Sequence, residues 1–468
     1  MPPETATDKR SAPRLRRRLW LVSATGIALD GLDLFSIGVA LALMRLDPSM
    51  APTSFGLSAG LVVGAAVAGA IVGALVSGPL IDRFGRIYAL IGSAAFLLIF
   101  SIASALAGSI DQLIIYRALM GVGIGAMYPV SATIVAETSK RKQRGRKVGA
   151  TIAFQAVGMV FGAVCSLILL ALVEPSAAWR WVLALGAPPA LGMIIVAPTL
   201  PTSPRWLAAK GKIQEATEAA KRLGLNFNPT KQTVQEDGKF RFFELFKRSN
   251  RRRTILACVP WALMDIATYG VGIFTPVILL HQSAKDSAHP AKGAQTLAET
   301  LTSERSVLEA TTILDILLLI GFFIGVLLVD KVGRIRLQTL GFIGMTVGLG
   351  ILAFSGTGED SILILVFIGF AIFNLSMNAG PNTTTYILPA EVFPTHLRAT
   401  GHGFAAACAK TGALAGTIFL PLLIHAAGLS IGLGAVMICC LLGALVTYLA
   451  RIETTKVSLE KVQDSDPS

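Results

Sequence analysis

Twelve apolar segments, each long enough to cross a lipid bilayer, alternate with polar connections along the chain. They span residues 19–44, 58–81, 87–107, 111–135, 147–173, 180–200, 254–281, 307–329, 336–355, 361–389, 399–426 and 428–451. About 20 mostly apolar residues cover the ~30 Å of hydrocarbon in a bilayer. Only a helix pairs the backbone polar groups of a spanning segment within that segment. The pattern therefore predicts an all-α membrane protein with 12 transmembrane helices.

Two groups of charged residues recur in the second half of the chain at nearly one offset. A D-x-x-G-R motif follows both the second and the eighth segment, and its two copies are 248 residues apart. A glutamate that precedes an arginine by seven residues follows both the fourth and the tenth segment, and these two copies are 254 residues apart. The residues are Asp82, Arg83, Arg86, Glu137 and Arg144 in the first half and Asp330, Arg334, Glu391 and Arg398 in the second. The repeat predicts two six-helix pseudo-repeats, as in secondary transporters with a site between the halves. We expect the acids and arginines to latch one face and to release it during transport.

The distribution of basic residues predicts the orientation of the chain. The stretch 201–253 carries 13 Lys and Arg against 5 Asp and Glu, so the positive-inside rule places it in the cytoplasm. An even number of spans then places both termini there, in a multi-pass protein of the cell (plasma or inner) membrane. We predict a cytoplasmic tail 1–18, a helical bundle 19–200, a linker 201–253, a second bundle 254–451 and a cytoplasmic tail 452–468. Residues 1–13 and 453–468 are expected to be disordered, and the connection 282–306 to face outward.

Composition argues against most other classes of protein. Hydrophobic residues make up 53% of the chain and charged residues only 15%, whereas soluble domains carry about 25% charged residues. The net charge of +13 would suggest nucleic acid in a soluble protein, but here it lies in alternate connections. We find no motif for catalysis, metal binding or a cofactor. The expected partners are a small anionic substrate, protons and the lipid bilayer, with no nucleic acid, and the expected state is a monomer.

Several ionisable residues fall inside the predicted spans. They are Asp30, Asp33, Arg117, Asp265, Asp315 and Lys410. Each charge costs ~2.5–3.5 kcal/mol at a helix centre, so a functional role is the default hypothesis. Asp30 and Asp33 are three residues apart and share a helix face, and Lys410 either takes part directly or pairs with one of them. Arg117 fits a snorkelling position or a clamp on a neighbouring helix, and Asp315 fits a helix end.

The loop motifs resemble the major facilitator superfamily over roughly residues 15–452. Two stretches, 201–206 (PTSPRW) and 389–394 (PAEVFP) with Arg398, resemble its sugar-porter-like clan. Within that clan the chain looks most like the phosphate:proton symporters. The stretches that carry this likeness are 30–35 (DGLDLF), 128–134 (YPVSATI), 380–385 (GPNTTT), the triplet Trp261, Asp265 and Tyr269, and Lys410.

The resemblance implies a set of substrate-binding residues. They are Tyr128, Gln155, Trp261, Asp265, Tyr269 and Asn382. The repeat supports part of this set, because adding 254 to 128 gives 382. The triplet at 261, 265 and 269 forms one stripe on a helix. Where the family has an aspartate before the tyrosine of the fourth helix, this chain has Met127, so proton coupling would fall on Asp30, Asp33, Asp265 and Lys410.

An aspartate in an anion site suggests how protons would be coupled to transport. Two like charges at 4 Å repel by ~4 kcal/mol at an effective dielectric of about 20. An ionised Asp265 would thus repel an anion, whereas a protonated Asp265 would donate a hydrogen bond to it. The sequence therefore predicts proton-coupled symport of an anion, first of all inorganic phosphate, by alternating access.

Other functions stay open alongside this one. Within the same class, the substrate is alternatively an organic acid (an aromatic or other carboxylate) or, ranked lower, a sugar. Sugar ranks lower because the predicted spans contain few amides. A substrate-sensing receptor and a passive channel fit the sequence less well, and an enzyme has no set of residues to support it.

Overall fold

The computed structural model describes residues 6–44, 47, 50, 55–227, 242–283, 316–355 and 363–464, and this part of the chain contains helices and no strand. Asp315 and nearly all of the connection 282–306, for which the sequence predicts a helix end and an outward position, lie outside the described residues.

Six spans form the first half. They are α1 (Ala6–Met44), α2 (Phe55–Phe84), α3 (Arg86–Ala105), α4 (Ile110–Thr138), α5 (Arg144–Leu172), and a sixth span divided into α6 (Pro175–Ala184) and α7 (Ala187–Val196). The sixth span is divided just before Pro188 and Pro189, which lack the N–H that would continue the helical bonding of the preceding turn.

The linker contains α8 (Pro204–Ala209), α9 (Ile213–Arg222) and a short 3₁₀ helix (Phe242–Phe246). We call the end of the molecule that carries α8 and α9 the linker face. The second half follows with α10 (Arg248–Ser283), α11 (316–332), α12 (Arg334–Phe354), α13 (Leu363–Ala379), α14 (Pro381–Val392), α15 (Arg398–Ala427), α16 (Leu429–Leu449) and a terminal α17 (Leu459–Asp464). Pro381 divides the tenth span into α13 and α14.

The glycine of each D-x-x-G-R motif explains part of the repeat. Gly85 has a φ of 106° and Gly333 a φ of 100°, values in the left-handed region that favours glycine. Each glycine ends one helix and begins the next, α2 to α3 and α11 to α12. The motif thus turns the chain at the linker face in both halves.

The ends of the chain are more ordered than the sequence predicts. Helix α1 begins at Ala6 rather than near residue 19, and Arg16 donates a hydrogen bond to the carbonyl of Leu223 in the linker. At the other end, Thr454 and Leu459 are buried. The prediction of disorder is therefore wrong for residues 6–13 and 453–464. Hydropathy did not detect residues 453–464 because polar contacts with the rest of the linker face hold them.

Glycines bring α2 into direct contact with α4. A Cβ atom on Gly69 or Gly73 would lie 1.9 or 2.1 Å from a backbone oxygen of α4, and one on Gly121 or Gly125 of α4 would lie 2.1 or 2.0 Å from a backbone oxygen of α2. Gly64, in the same helix α2, faces open space. Small residues allow such approach between helices in a membrane.

We expect Gly73→Ala to destabilise the protein by about 1–3 kcal/mol, the usual effect of an added methyl group where there is no space. The matched variant Gly64→Ala should be neutral or slightly stabilising, since alanine favours helix. Thermal unfolding midpoints of the two purified variants check this. Equal shifts for both would contradict the close contact of α2 with α4.

Candidate functional site

Polar side chains from five helices meet between the two halves. Asp30 of α1, Tyr128 of α4 and Gln155 of α5 come from the first half, and Tyr269 of α10 and Lys410 of α15 come from the second. We call these five residues the central cluster. Each lies within the length of a membrane-spanning helix, where ionisable and polar groups must face protein or water.

The central cluster is one hydrogen-bonded chain in which the Tyr128 hydroxyl joins a carboxylate to an ammonium. Asp30 Oδ2 accepts from the Tyr128 hydroxyl at 2.6 Å and from Gln155 Nε2 at 2.7 Å. Lys410 Nζ donates to the hydroxyls of Tyr128 at 3.1 Å and Tyr269 at 3.2 Å. Lys410 therefore joins a tyrosine of each half. Among the described residues it has no carboxylate partner within 4 Å, so the alternative of an ion pair with an aspartate does not hold in this structure.

Asp265 lies one helical turn from Tyr269 and is only 5% exposed. Its carboxyl group has no hydrogen bond and no ion pair with the described part of the chain. Trp261, one turn in the other direction, is also buried, and its ring centroid lies 6.1 Å from that of Tyr128. The stripe at 261, 265 and 269 therefore faces the protein interior. A buried ionised carboxylate without a partner is costly, so this position suits a proton or a hydrogen-bonding ligand.

Asp33 forms an ion pair with Arg117 of α4. The guanidinium of Arg117 is fully buried, so of its two predicted roles it takes that of a clamp between helices. Both residues line a cavity of about 30 Å³ together with Asp30, Tyr269 and Lys410. That volume holds water but no larger solute. In this conformation the ion pair and three residues of the central cluster border one small cavity, whose other lining residues are apolar.

Two predicted positions stand apart from the cluster. Asn382 Nδ2 donates to Asn378 Oδ1 at 2.8 Å and makes no hydrogen bond to the central cluster in the described structure. Met127 is fully buried, and its sulfur would lie 2.7 Å from a Cβ atom on Gly26 of α1. At the position of the family's acid, the chain thus has an apolar side chain packed inside the first half.

An aromatic layer lies between the central cluster and the linker face. The His402 ring lies 5.5 Å from the ring of Trp261 and 5.1 Å from that of Tyr386, and the Tyr386 hydroxyl donates to the backbone oxygen of Tyr128 at 3.5 Å. Tyr386 and His402 are not among the site residues that the sequence predicts. An ionisable residue inside an apolar span was a usable signal for His402, whereas Tyr386 carried none.

A first buried ion cluster joins the halves at the linker face. Glu137 accepts from Arg86 of its own half at 3.0 and 3.2 Å, and from Arg398 of the other half at 2.7 Å. Arg86 also lies 3.3 Å from Asp82. The Asp82 carboxylate accepts from the backbone N–H of Thr400, across the interface, at 2.9 Å.

A second cluster repeats this arrangement with the halves exchanged. Glu391 accepts from Arg334 of its own half at 3.0 and 3.1 Å, and from Arg144 of the other half at 2.7 Å. Arg334 lies 2.9 Å from Asp330, whose carboxylate accepts from the backbone N–H of Arg146 at 2.9 Å. In each cluster, therefore, an arginine of one half binds the glutamate of the other half.

The C-terminal segment completes the second cluster. Thr454 donates its hydroxyl hydrogen to Glu391, and Glu453 accepts from the backbone N–H groups of Arg334 and Ile335 at 3.2 and 3.1 Å. Arg83, grouped with the other loop charges in the sequence, belongs to neither cluster. It is exposed, and its guanidinium lies 5.2 Å above the neighbouring ring of Phe84.

Three curated relatives are inorganic phosphate transporters by name. "Probable inorganic phosphate transporter 1-12" of Oryza sativa subsp. japonica is 32% identical over 85% of this chain and 79% of its own length. "Probable inorganic phosphate transporter 1-6" of Arabidopsis thaliana is 30% identical over 94% and 92%. "Low affinity inorganic phosphate transporter 1" of Petunia hybrida is 29% identical over 85% and 80%.

Solved structures show the fold. The proton:xylose symporter XylE bound to 6-bromo-6-deoxy-D-glucose superposes with a TM-score of 0.78 at 22% identity, covering 96% of this chain and 99% of XylE. An inward-open structure of Escherichia coli XylE gives 0.64 at 20% identity, covering 96% and 99%. The predicted all-α fold of the major facilitator superfamily is confirmed. Since the family model described as "Sugar (and other) transporter" matches residues 19–465, the chain belongs to that family, with phosphate transporters among its relatives.

Proposed function

We propose that the protein carries an inorganic phosphate anion together with protons across the membrane by alternating access. The observation that carries the proposal is the presence, inside the same protein interior, of two buried groups. One is Lys410, bonded to one tyrosine of each half, and the other is the carboxyl of Asp265, which has no hydrogen bond and no ion pair with the described residues. The phosphate transporters among the relatives support phosphate as the anion.

Charge balance explains why such a site needs protons. It holds three carboxyl groups, Asp30, Asp33 and Asp265, against two cations, Arg117 and Lys410. Three minus two leaves one net negative charge when all are ionised, one proton brings the net charge to zero, and a second makes it positive. A charge 4 Å from the anion contributes ~4 kcal/mol at an effective dielectric of about 20, or roughly a thousandfold in affinity. The anion therefore binds to the protonated site.

Asp265 is the carboxyl group that we expect to interact directly with the substrate. Protonated, it donates a hydrogen bond to a phosphate oxygen, and ionised it repels the anion. The neutral groups proposed to bind phosphate beside it are Tyr128, Gln155, Trp261, Tyr269 and Asn382. Because coupling between two ligands is reciprocal, protons raise the affinity for phosphate by the same factor as phosphate raises the affinity for protons.

Asp30 and Asp33 are proposed as the other proton acceptors. Protonation of Asp33 would weaken its ion pair with Arg117, and the positive charge of Arg117 would then be available to attract the anion. Protonation of Asp30 would release the Tyr128 hydroxyl, which could then donate to phosphate. Lys410 would hold the anion directly, since its bonds to the tyrosines leave one N–H without an acceptor among the described residues.

Alternating access would require both ion clusters at the linker face to open. In our proposal the bundles 19–200 and 254–451 rock about the central cluster, joined by the linker 201–253, and a single chain is sufficient. The excess of basic residues in that linker supports a cytoplasmic position for the linker face and for the ends 1–18 and 452–468, in the cell membrane. In this proposal the clusters form a gate that closes the site to the cytoplasm.

We expect purified protein in proteoliposomes to take up labelled phosphate faster when the outside is acidic, because protons and anion enter together. A protonophore should abolish accumulation. Asp265→Asn should remove the acceleration by acid, whereas Asp111→Asn, an exposed aspartate at the start of α4, should leave it unchanged. Excess xylose or benzoate should not compete. The proposal would be contradicted if xylose or benzoate blocked phosphate uptake, or if uptake by the wild type did not depend on the outside pH.

We expect Glu137→Gln to open the linker face, because Arg398 then loses the acid with which it pairs across the interface. Breaking a buried ion pair costs about 3–5 kcal/mol, and the Arg398 pair exists only while the halves are in contact. Spin labels at Lys142 and Lys331, exposed at the ends of the two halves, should report a longer distance in the variant. Arg83→Gln, a change to an exposed arginine outside the cluster, is the control. A distance unchanged by Glu137→Gln would refute the gate.

A further inference from the structure

A cavity of about 850 Å³ opens between α12 and α16 at the linker face. Its wall includes Leu340 and Tyr448, which are 61% and 56% exposed although they belong to spanning helices, and therefore face lipid. Two exposed arginines, Arg336 and Arg451, line the cavity where these helices reach the linker face. The cavity thus combines an apolar side that faces the bilayer with two cations at the membrane surface.

The internal repeat shows how the two halves differ at this turn. The offset of 248 residues relates Gly333 to Gly85 and Arg336 to Tyr88. A Cβ atom on Gly85 would lie 3.1 Å from the ring of Trp206, whose Nε1 donates to the carbonyl of Asp82 at 3.0 Å. In the second half, Glu453 and Thr455 lie against Gly333 in place of an aromatic ring, and the arginine replaces an exposed tyrosine.

The chemistry of the cavity favours a phosphate group. The guanidinium of an arginine presents a fork of donors that matches phosphate oxygens, and basic pockets between spanning helices bind anionic headgroups. Arg451 lies with its guanidinium carbon 4.8 Å above the Tyr448 ring, and its carbonyl accepts from Arg252 at 3.0 Å. Glu453 also lines the cavity, but both of its oxygens accept backbone N–H groups at the start of α12.

We propose that this cavity binds one anionic phospholipid of the leaflet at the linker face. Its phosphate lies between Arg336 and Arg451, and an acyl chain runs along Leu340. The same Glu453 that lines the cavity holds the start of α12, where Arg334 binds Glu391, so the lipid lies directly beside the second ion cluster. The proposal concerns a site separate from the central cluster and does not depend on the transported substrate.

Native mass spectrometry of the purified full chain, titrated with phosphatidylglycerol in detergent, tests the proposal. The wild type should retain one tightly bound phosphatidylglycerol in preference to phosphatidylcholine. The double variant Arg336→Gln and Arg451→Gln should bind it about 30-fold more weakly, which corresponds to about 2 kcal/mol, one for each arginine. Arg17→Gln with Arg18→Gln, an equal loss of charge on the exposed side of α1, is the matched control and should bind as the wild type does.

Two results would overturn the site. One is equal loss of phosphatidylglycerol from both double variants, which would mean general attraction to basic charge. The other is displacement of the lipid by soluble glycerol phosphate at similar concentration, which would mean that the apolar wall contributes nothing. The double variant Arg336→Lys and Arg451→Lys keeps both charges and should retain most of the phosphatidylglycerol binding. If this variant is folded but does not bind the lipid, the assignment of the site to these two side chains is also contradicted.

Discussion

A charge inside a membrane protein needs a partner, and the buried carboxyl groups of this protein differ in the number of ion-pair partners that they have. At the linker face, Glu137 and Glu391 each bind two arginines, so these acids are fully satisfied while the halves are in contact. In the centre, Asp265 is also buried, but its carboxyl has no hydrogen bond and no ion pair with the described residues. Saturated charges suit a gate that holds one state, whereas an unsaturated carboxyl suits a site that waits for a proton and a ligand.

The internal repeat links the proposed gate to the proposed site. Because each half lends one arginine to the acid of the other, the two halves cannot separate at the linker face without breaking an ion pair in both clusters. Lys410 makes the corresponding connection in the centre, through the hydroxyls of Tyr128 and Tyr269. An anion that draws Lys410 away from these tyrosines would therefore loosen a contact between the halves, which supplies a physical route from binding to conformational change.

Much of this architecture could be predicted from the sequence, because length, hydropathy and the repeated motifs are local properties of the chain. The stripe of Trp261, Asp265 and Tyr269 followed from helical spacing alone. The pairing of Asp33 with Arg117, by contrast, depends on how two helices pack. The docking of the C-terminal segment and the exposure of Arg83 likewise depend on tertiary contacts, which a hydropathy pattern does not contain.

The number of protons taken up per phosphate bound tests the central claim most directly. Titration calorimetry in buffers of different ionisation enthalpy gives this number for the purified wild type and for Asp265→Asn at the same pH. Protonation of phosphate itself is common to both proteins, so the difference between them reports the carboxyl group. We expect the wild type to take up more protons than the variant at neutral pH. Equal proton uptake and equal phosphate affinity in the two proteins would contradict it.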